Sequence, residues 1–318
     1  MIPELFCAPL AEITTPALRY LIRKFSSKVM LHTEMISSAA LLNGGQFNQS
    51  KTIVHDFDHP VGFQLLGTNA QIMAKAAKEL LKQNPYSIDI NMGCSAPDIR
   101  KRGAGSYLLK DYDNVAKIVQ GVRNSCDCRV SVKMRAGITE SSAEFVIKYL
   151  KLFKDYGIDY VTLHPRNAHE GFRHTASRKL FTEIKNQSPI QLIYNGDISE
   201  TTEAVDLIRD FNNKIMIGRA AAVKPWIFGQ IENRINGKNN SIIDLAECTE
   251  IFIEKIHQFL PSKIQTLRSL RFFGYFCNNF RFGHYLFSEI KKKESVSEMG
   301  KVIFDYLQRH PEERAFDL

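Results

Sequence analysis

The sequence predicts an α/β protein: a closed (β/α)8 TIM barrel followed by a small all-helical C-terminal domain. Three observations predict it. Short β-rich runs alternate with amphipathic helical runs as far as the Gly237 region. Polar residues stand at or just past the C-terminal ends of several β-rich runs. Beyond the segment GKNNS, which starts at Gly237, the remaining runs are helical with no strands between them.

The candidate strands, in order, are Leu5–Pro9, Val29–Thr33, Val61–Leu65, Ser87–Asn91, Val130–Met134, Tyr160–His164, Gln191–Asn195 and Lys214–Ile217. The helical runs between and after them are Pro16–Phe25, Ala70–Gln83, Asp113–Asn124, Ser141–Tyr156, Ser177–Asn186, Thr201–Asp210 and Pro225–Asn236. Segment 36–59 is irregular and fits no element. The alternation implies parallel strands joined by helical crossovers. An open, doubly wound sheet fits the same rhythm. The strand ends decide between the two: Asn91, Lys133, His164, Asn195 and Gly218 each end or follow a different strand. In a barrel such ends converge on one face, where the site is built. An open sheet spreads them along an edge. No strand leads into G-x-G-x-x-G, and Gly103-Ala-Gly105 is only a weak match. The expected division is therefore a barrel over residues 1–240 and a helical domain over 241–318, with Ile242–Leu260, Ser262–Cys277 and Val296–Arg309 as its helices.

Composition narrows the function classes. Hydrophobic residues make up 44% of the 318 and charged ones 24%, enough for a large core and unlike a disordered chain. No apolar run approaches the ~20 residues of a membrane span. The opening MIPELFCAPLAEI lacks a basic segment leading into an apolar one, so no secretory leader is expected. The six cysteines are scattered. Only Cys126 and Cys128 are close, and one C-D-C is a poor metal pattern, so no metal site and reduced cytoplasmic thiols are expected. The net charge of +8 suits a polyanionic partner as well as it suits a merely lysine-rich surface. Between Lys255 and Lys293, eight basic residues face Glu289 alone, interleaved with Phe272, Phe273, Tyr275, Phe276, Phe280, Phe282 and Tyr285. That mixture suits RNA. The plainer reading is aromatic core and solvated charge.

Six places carry chemistry. Asn195-Gly196-Asp197 follows the seventh strand and Gly218-Arg219-Ala220 the eighth. Barrels bind phosphate with these two loops, although two ordinary glycine turns would look the same. Lys133 ends VSVKM, and a lysine at a barrel mouth is costly unless it meets an anion. His164 ends VTLH and Gln64 lies in GFQ. Together these three can hold an anionic ring system, such as a reduced flavin, tethered by a phosphate tail. Cys94 follows a strand end in DINMGC, ahead of Arg100, Lys101 and Arg102. It can act as nucleophile or acid; the competing reading is an inert buried thiol.

Seven motifs in this order resemble the tRNA-dihydrouridine synthases, the bacterial B-type branch in particular: APLAEIT, GFQLLG, DINMGC with GAGSYLL, VKMRAG, HPR, NGDI and GRAAAVKPWIF. The resemblance runs from the first motif into the helical tail. It implies an FMN-dependent reductase, with NADPH as reductant, that passes hydride from flavin N5 to C6 of a tRNA uridine. By the same resemblance Cys94 is the acid that protonates C5. Pro9, Leu10, Gln64, Lys133, His164, Asn195, Gly196, Asp197, Gly218 and Arg219 match flavin-binding positions. Asn91 and Arg166 match residues that hold the uracil. A cytoplasmic monomer, with the helical tail gripping tRNA and no membrane partner, is the corresponding expectation. The chain departs from the family pattern at Ser95, where proline is usual, and at Pro97 and Asp98, where basic residues are common. It departs again at Asn167, Glu170 and Ala220.

Overall fold

The computed structural model describes residues 4–44, 51–170, 174–211, 214–239 and 241–316. Strands β1 (Leu5–Cys7), β2 (Leu31–His32), β3 (Ile36–Ser37), β4 (Val61–Leu66), β5 (Ser87–Met92), β6 (Arg129–Gly137), β7 (Tyr160–Asn167), β8 (Gln191–Asn195) and β9 (Lys214–Ile217) form one parallel sheet. Its order is β1-β9-β8-β7-β6-β5-β4-β2, and β3 also pairs with β4. A parallel bridge between Phe6 and Met30 brings the two ends together. The Cys7 N–H donates to the Met30 carbonyl at 2.8 Å, and the Met30 N–H to the Leu5 carbonyl at 2.9 Å. With β2 and β3 as two pieces of one wall position, this is the eight-position barrel that the alternation predicts.

The broken second strand is where sequence and structure differ most within the barrel. The wall bends between His32 and Ile36, and a short helix (Ser38–Leu42) follows β3 directly. Part of the unassigned segment thus has regular structure, including a 3-10 turn at Asp56–Asp58; its residues 45–50 lie outside the described residues.

Side chains alternate between the two faces of each strand. The outward set joins the helices in one large apolar core. The inward set at the lower end is Phe6, Ala8, Met30, Tyr160, Ile193 and Met216. Tyr160 closes this layer by donating its hydroxyl hydrogen to Ser87 Oγ at 3.0 Å. Polar inward residues lie above it, toward the strand C-termini.

Helix Pro16–Phe25 starts as its sequence dictates. Thr15 caps it by accepting the Leu18 N–H, and Pro16 takes the first helical position. The helix carries a buried charge. Arg19, 1% exposed, forks onto Asp58, Nε to Oδ1 at 2.7 Å and Nη2 to Oδ2 at 3.1 Å. Its third nitrogen, Nη1, donates to the Thr14 carbonyl at 2.9 Å. Arg19→Met is expected to strand the Asp58 carboxylate and to destabilise the protein by about 3–5 kcal/mol. The shift in denaturant midpoint would measure it, and a shift equivalent to under ~1 kcal/mol would count against this pair as a structural anchor.

The C-terminal region holds helices Leu245–Phe259, Ser262–Phe276, Gly283–Ile290 and Val296–Arg309. It is not all-helical: β10 (Ile243–Asp244) and β11 (Ala315–Phe316) pair antiparallel across its two ends. The predicted boundary after residue 240 falls on Asn240, outside the described residues. Phe272, Phe273, Phe276 and Phe280 are buried, with Phe252 stacked on Phe272 at 3.8 Å between centroids. Trp226 meets Phe276 on one side and Phe25 on the other, so this apolar core runs on into the barrel's helical layer.

Helix Ser262–Phe276 also docks on the loop after β1. Arg268, 6% exposed, lies 3.4 Å from a Glu12 carboxylate oxygen and 3.5 Å from one of Glu34. Arg271 donates its Nε–H to Glu12 at 3.0 Å. Glu12 itself sits in the left-handed region (φ +65°) and donates its backbone N–H to Glu34 Oε2 at 2.7 Å. Among the described residues no helix is long and apolar enough to cross a membrane.

Candidate functional site

The C-terminal strand ends open into a cleft of about 230 Å³. Each wall position contributes. Ala8, Pro9, Leu10 and Ala11 follow β1, and Gln64 comes from β4. Asn91 and then Gly93 and Cys94 come from β5, Lys133 and Arg135 from β6, and His164 from β7. Asn195 to Ile198 end β8, and Gly218 and Arg219 follow β9. Eleven of the twelve cofactor- and substrate-binding positions proposed from sequence line this one cleft, together with Cys94.

The twelfth, Arg166, does not line it. Its guanidinium is 3% exposed and forks onto Asp197, Nη1 to Oδ1 at 3.0 Å and Nη2 to Oδ2 at 2.6 Å. Asp197 sits at φ +45° and also accepts the Ala176 N–H at 2.8 Å and an Arg219 N–H at 3.3 Å. Arg166 thus braces the turn after β8. Gly196 in that turn has no room for a side chain, since a Cβ would come within 2.5 Å of the Ala176 Cβ.

Cys94 is half-buried on a loop that is fixed at both ends. Its N–H donates to Asn91 Oδ1 at 2.9 Å. Its carbonyl accepts from the Ser106 N–H at 2.9 Å and from Ser106 Oγ at 3.0 Å. Gly105 makes that return possible: it adopts φ +62°, and a Cβ there would lie 2.4 Å from the Cys94 carbonyl oxygen. Between them, Pro97 opens a short helix, Pro97–Lys101, whose first turn carries Asp98. Arg100, Lys101 and Arg102, at the end of that helix, are exposed. The family's departures at 167 and 170 also have a local structure. The Asn167 side-chain oxygen accepts the His169 and Glu170 N–H groups, and Glu170 accepts the Asn167 N–H at 2.8 Å.

The cleft is electropositive. Lys133 lines it and stays partly open to it. Burial in the barrel mouth, with Arg135 adding repulsion, pulls its pKa down to about 8; Asp89 and Cys94 pull the other way. Burial and the surrounding cations Lys133, Arg135, Arg166 and Arg219 push His164 down to about 2, so its imidazole is neutral. Its Nε2 receives an N–H from Arg166 at 3.4 Å, which leaves Nδ1–H as its donor. Arg135 is the charged cleft residue that the sequence reading missed. It donates to the Gly93 carbonyl and to the Asn167 carbonyl, both at 2.9 Å. Its signal was present, because Lys133 and Arg135 are two apart on one strand and share a face. Met35, Ile198 and Met216 also line the cleft and carried no signal.

The depressed lysine sets a pH dependence. A lysine at about 8 when folded and near 10.5 when unfolded binds fewer protons folded across that window. Stability of the ligand-free protein from this group therefore rises with pH between those values. An anion in the cleft restores the proton. Binding is thus expected to take up a proton between pH ~8 and ~10, and affinity to fall with pH across that window. Titration calorimetry in buffers of different ionisation enthalpy would show the uptake, and none at pH 9 would contradict the assignment.

The basic aromatic stretch divides. Its four phenylalanines at 272, 273, 276 and 280 are core, and Arg268 is buried among carboxylates, so these do not offer a nucleic-acid surface. Phe282 (49% exposed), Tyr285 (62%), Arg281, Lys291 and Lys292 remain on the outside.

Comparison with known proteins adds to this geometry. The family described as Dihydrouridine synthase matches residues 6–313. The protein named tRNA-dihydrouridine synthase B of Xanthomonas campestris is 31% identical over 235 residues, covering 72% of this chain and 69% of that protein. The probable tRNA-dihydrouridine synthase 1 of a Synechocystis species is 26% identical over 303 residues, covering 94% and 84%. Among solved structures, a variant of NCR from Zymomonas mobilis superposes with a TM-score of 0.53 at 17% identity, covering 73% of this chain and 86% of that one. The structure titled TcOYE with pHBA gives 0.54 at 10%, covering 73% and 89%. At those identities the likeness is one of fold.

Proposed function

The chain belongs to the dihydrouridine synthase family, and from that premise we propose that it reduces uridines in tRNA to 5,6-dihydrouridine with FMN as cofactor and NADPH as reductant. The observation that carries the reading is the convergence of Cys94, Lys133, His164 and Gln64 on one cleft that the two glycine turns and Arg219 also line.

The residues fit a flavin mononucleotide. Among the described residues Lys133 has no ion pair or hydrogen bond, and it meets the cleft as a cation in want of an anion. Gln64 and neutral His164 supply hydrogen-bond donors to the ring. Pro9 and Leu10 flank it. The Asn195–Asp197 turn, Gly218 and Arg219 receive the phosphate. Bound there, the reduced flavin supplies the hydride that the uracil C6 accepts.

The remaining work falls to this chain. Hydride arrival makes the uracil an enolate, and C5 then needs a proton. The Cys94 thiol supplies it from a loop held in place by Asn91 and Ser106. Arg135 fixes the carbonyl of Gly93 beside it. Asn91 can bond the uracil edge only with what its loop bonds leave free, and Arg166 acts on the site through Asp197. The target base must leave its stack to reach this depth. Arg100, Lys101 and Arg102 near the cleft, and Arg281, Lys291 and Lys292 with Phe282 and Tyr285 on the helical region, hold tRNA phosphates and bases; phosphate contacts position without selecting sequence. In this reading residues 1–240 carry the chemistry, residues 241–318 help to hold tRNA, and the enzyme works as a cytoplasmic monomer.

Purified protein with FMN, NADPH and unmodified tRNA is expected to yield dihydrouridine, read by nucleoside mass spectrometry. No dihydrouridine under turnover conditions, with flavin retained, would refute the reading. Rapid oxidation of the reduced protein by a free pyrimidine, but not by tRNA, would replace it.

A further inference from the structure

One hydrogen-bond chain runs beneath the cleft from the barrel axis to the Cys94 loop. Asp89 on β5 is 1% exposed. Its Oδ1 accepts from Ser131 Oγ at 2.6 Å and its Oδ2 from Gln64 Nε2 at 2.7 Å. Gln64 Oε1 accepts from Asn91 Nδ2 at 2.7 Å. Asn91 Oδ1 accepts the backbone N–H groups of Gly93 at 3.1 Å and Cys94 at 2.9 Å. Strand register builds the chain: Gln64, Asp89 and Ser131 lie side by side across β4, β5 and β6, and Asn91 is two residues above Asp89 on the same face.

The direction of this chain is forced. The two ends of a side-chain amide have the same shape, so a pair of amides alone could face either way. Here both termini are of one kind only. A carboxylate accepts and a backbone N–H donates. Gln64 must therefore turn its nitrogen to Asp89 and its oxygen to Asn91, and Asn91 must turn its oxygen to the loop. Reversing either amide sets two donors or two acceptors against each other in a buried place.

We infer that Asp89 is a positioning residue: its carboxylate sets the orientation of Gln64 and Asn91, holds the Cys94 loop through them, and leaves Gln64 one spare N–H to offer a ligand in the cleft. Its bearing on catalysis rests on the reading of Cys94 as the proton donor; its hold on the loop does not.

A reciprocal exchange tests it. Gln64→Glu sets two carboxylates face to face, and their repulsion drives the new side chain off Asn91 and breaks the order. Adding Asp89→Asn restores it, since the new amide donates where the carboxylate accepted, and the glutamate oxygen still accepts from Asn91. Asp89→Asn alone is milder, because the amide nitrogen can turn to the Ser131 hydroxyl. The measurement is amide hydrogen exchange at Gly93 and Cys94, with the Cys94 alkylation rate beside it, on protein free of flavin and tRNA. Gln64→Glu is expected to speed exchange at both amides by about tenfold or more. The double variant is expected to return within about threefold of the parent, whereas damage from mere loss of packing would add. Unchanged exchange in Gln64→Glu, or a double variant no slower than the single, overturns the inference. If Gln64→Glu alone does not fold, a folded double variant is the same rescue, and an unfolded one overturns it. The readout needs no turnover, so its failure is separate from failure of the proposed reaction.

Discussion

Cys94→Ala is expected to keep its flavin and its reduction by NADPH while losing about 10²–10⁴-fold in turnover on tRNA, the usual worth of a positioned acid. The loop should survive the change. Its anchors are the Cys94 N–H and carbonyl, bonded to Asn91 and Ser106, and neither involves the sulfur. Stopped-flow absorbance separates the two half-reactions: flavin reduction at the parent rate, and flavin oxidation by tRNA slowed. Equal oxidation rates in parent and variant would remove Cys94 from the acid's role. A loss of flavin instead would mean that the thiol shapes the pocket.

Lys133→Met is the second large effect. The side chain keeps most of its length and loses its charge where the cleft offers a cation to an anionic ring. Removing one partner of a desolvated charge pair costs about 2–5 kcal/mol, so flavin affinity should fall about 30-fold or more. Anaerobic titration with reduced FMN would measure it. The proton uptake expected at alkaline pH should vanish in the same variant, which ties both results to one group. Unchanged affinity and unchanged flavin reduction together would contradict the assignment.

The barrel was legible because its signals are local and repeated. Each β-rich run is apolar on the face that packs against the helices, and the polar residue at its end marks the open mouth. Lys133, His164, Gln64 and Asn195 could be read that way, and the structure brings them into one cleft. Arg166 could not. It stands at a strand end like the others, but its direction is decided by Asp197, thirty-one residues away, and ion pairing over that distance leaves no trace in periodicity. Val29–Thr33 announced β2, but the second piece of that wall position, β3, was hidden for another reason. A two-residue strand set off by a bend carries no alternation to detect. The aromatic run between Phe272 and Phe280 showed composition without orientation, and only packing shows that most of it faces inward. The Asp89 chain combines the two cases. Asp89 and Asn91 announce a polar inner face by their spacing, yet the links to Ser131 and Gln64 depend on register between strands.

The clasp of Arg268 on Glu12 and Glu34 bears on how such proteins can be recombined. If the helical tail holds tRNA as proposed, exchanging it is the obvious way to change the RNA target. Yet its helix Ser262–Phe276 reaches a buried carboxylate, Glu34, and the loop that carries Pro9 and Leu10. A graft that brings a foreign tail without the matching acids after β1 and β2 would leave charge unpaired within a few residues of the cleft. Transplanting specificity therefore requires a cut that crosses the chain twice, moving residues 12 and 34 along with the helices they answer.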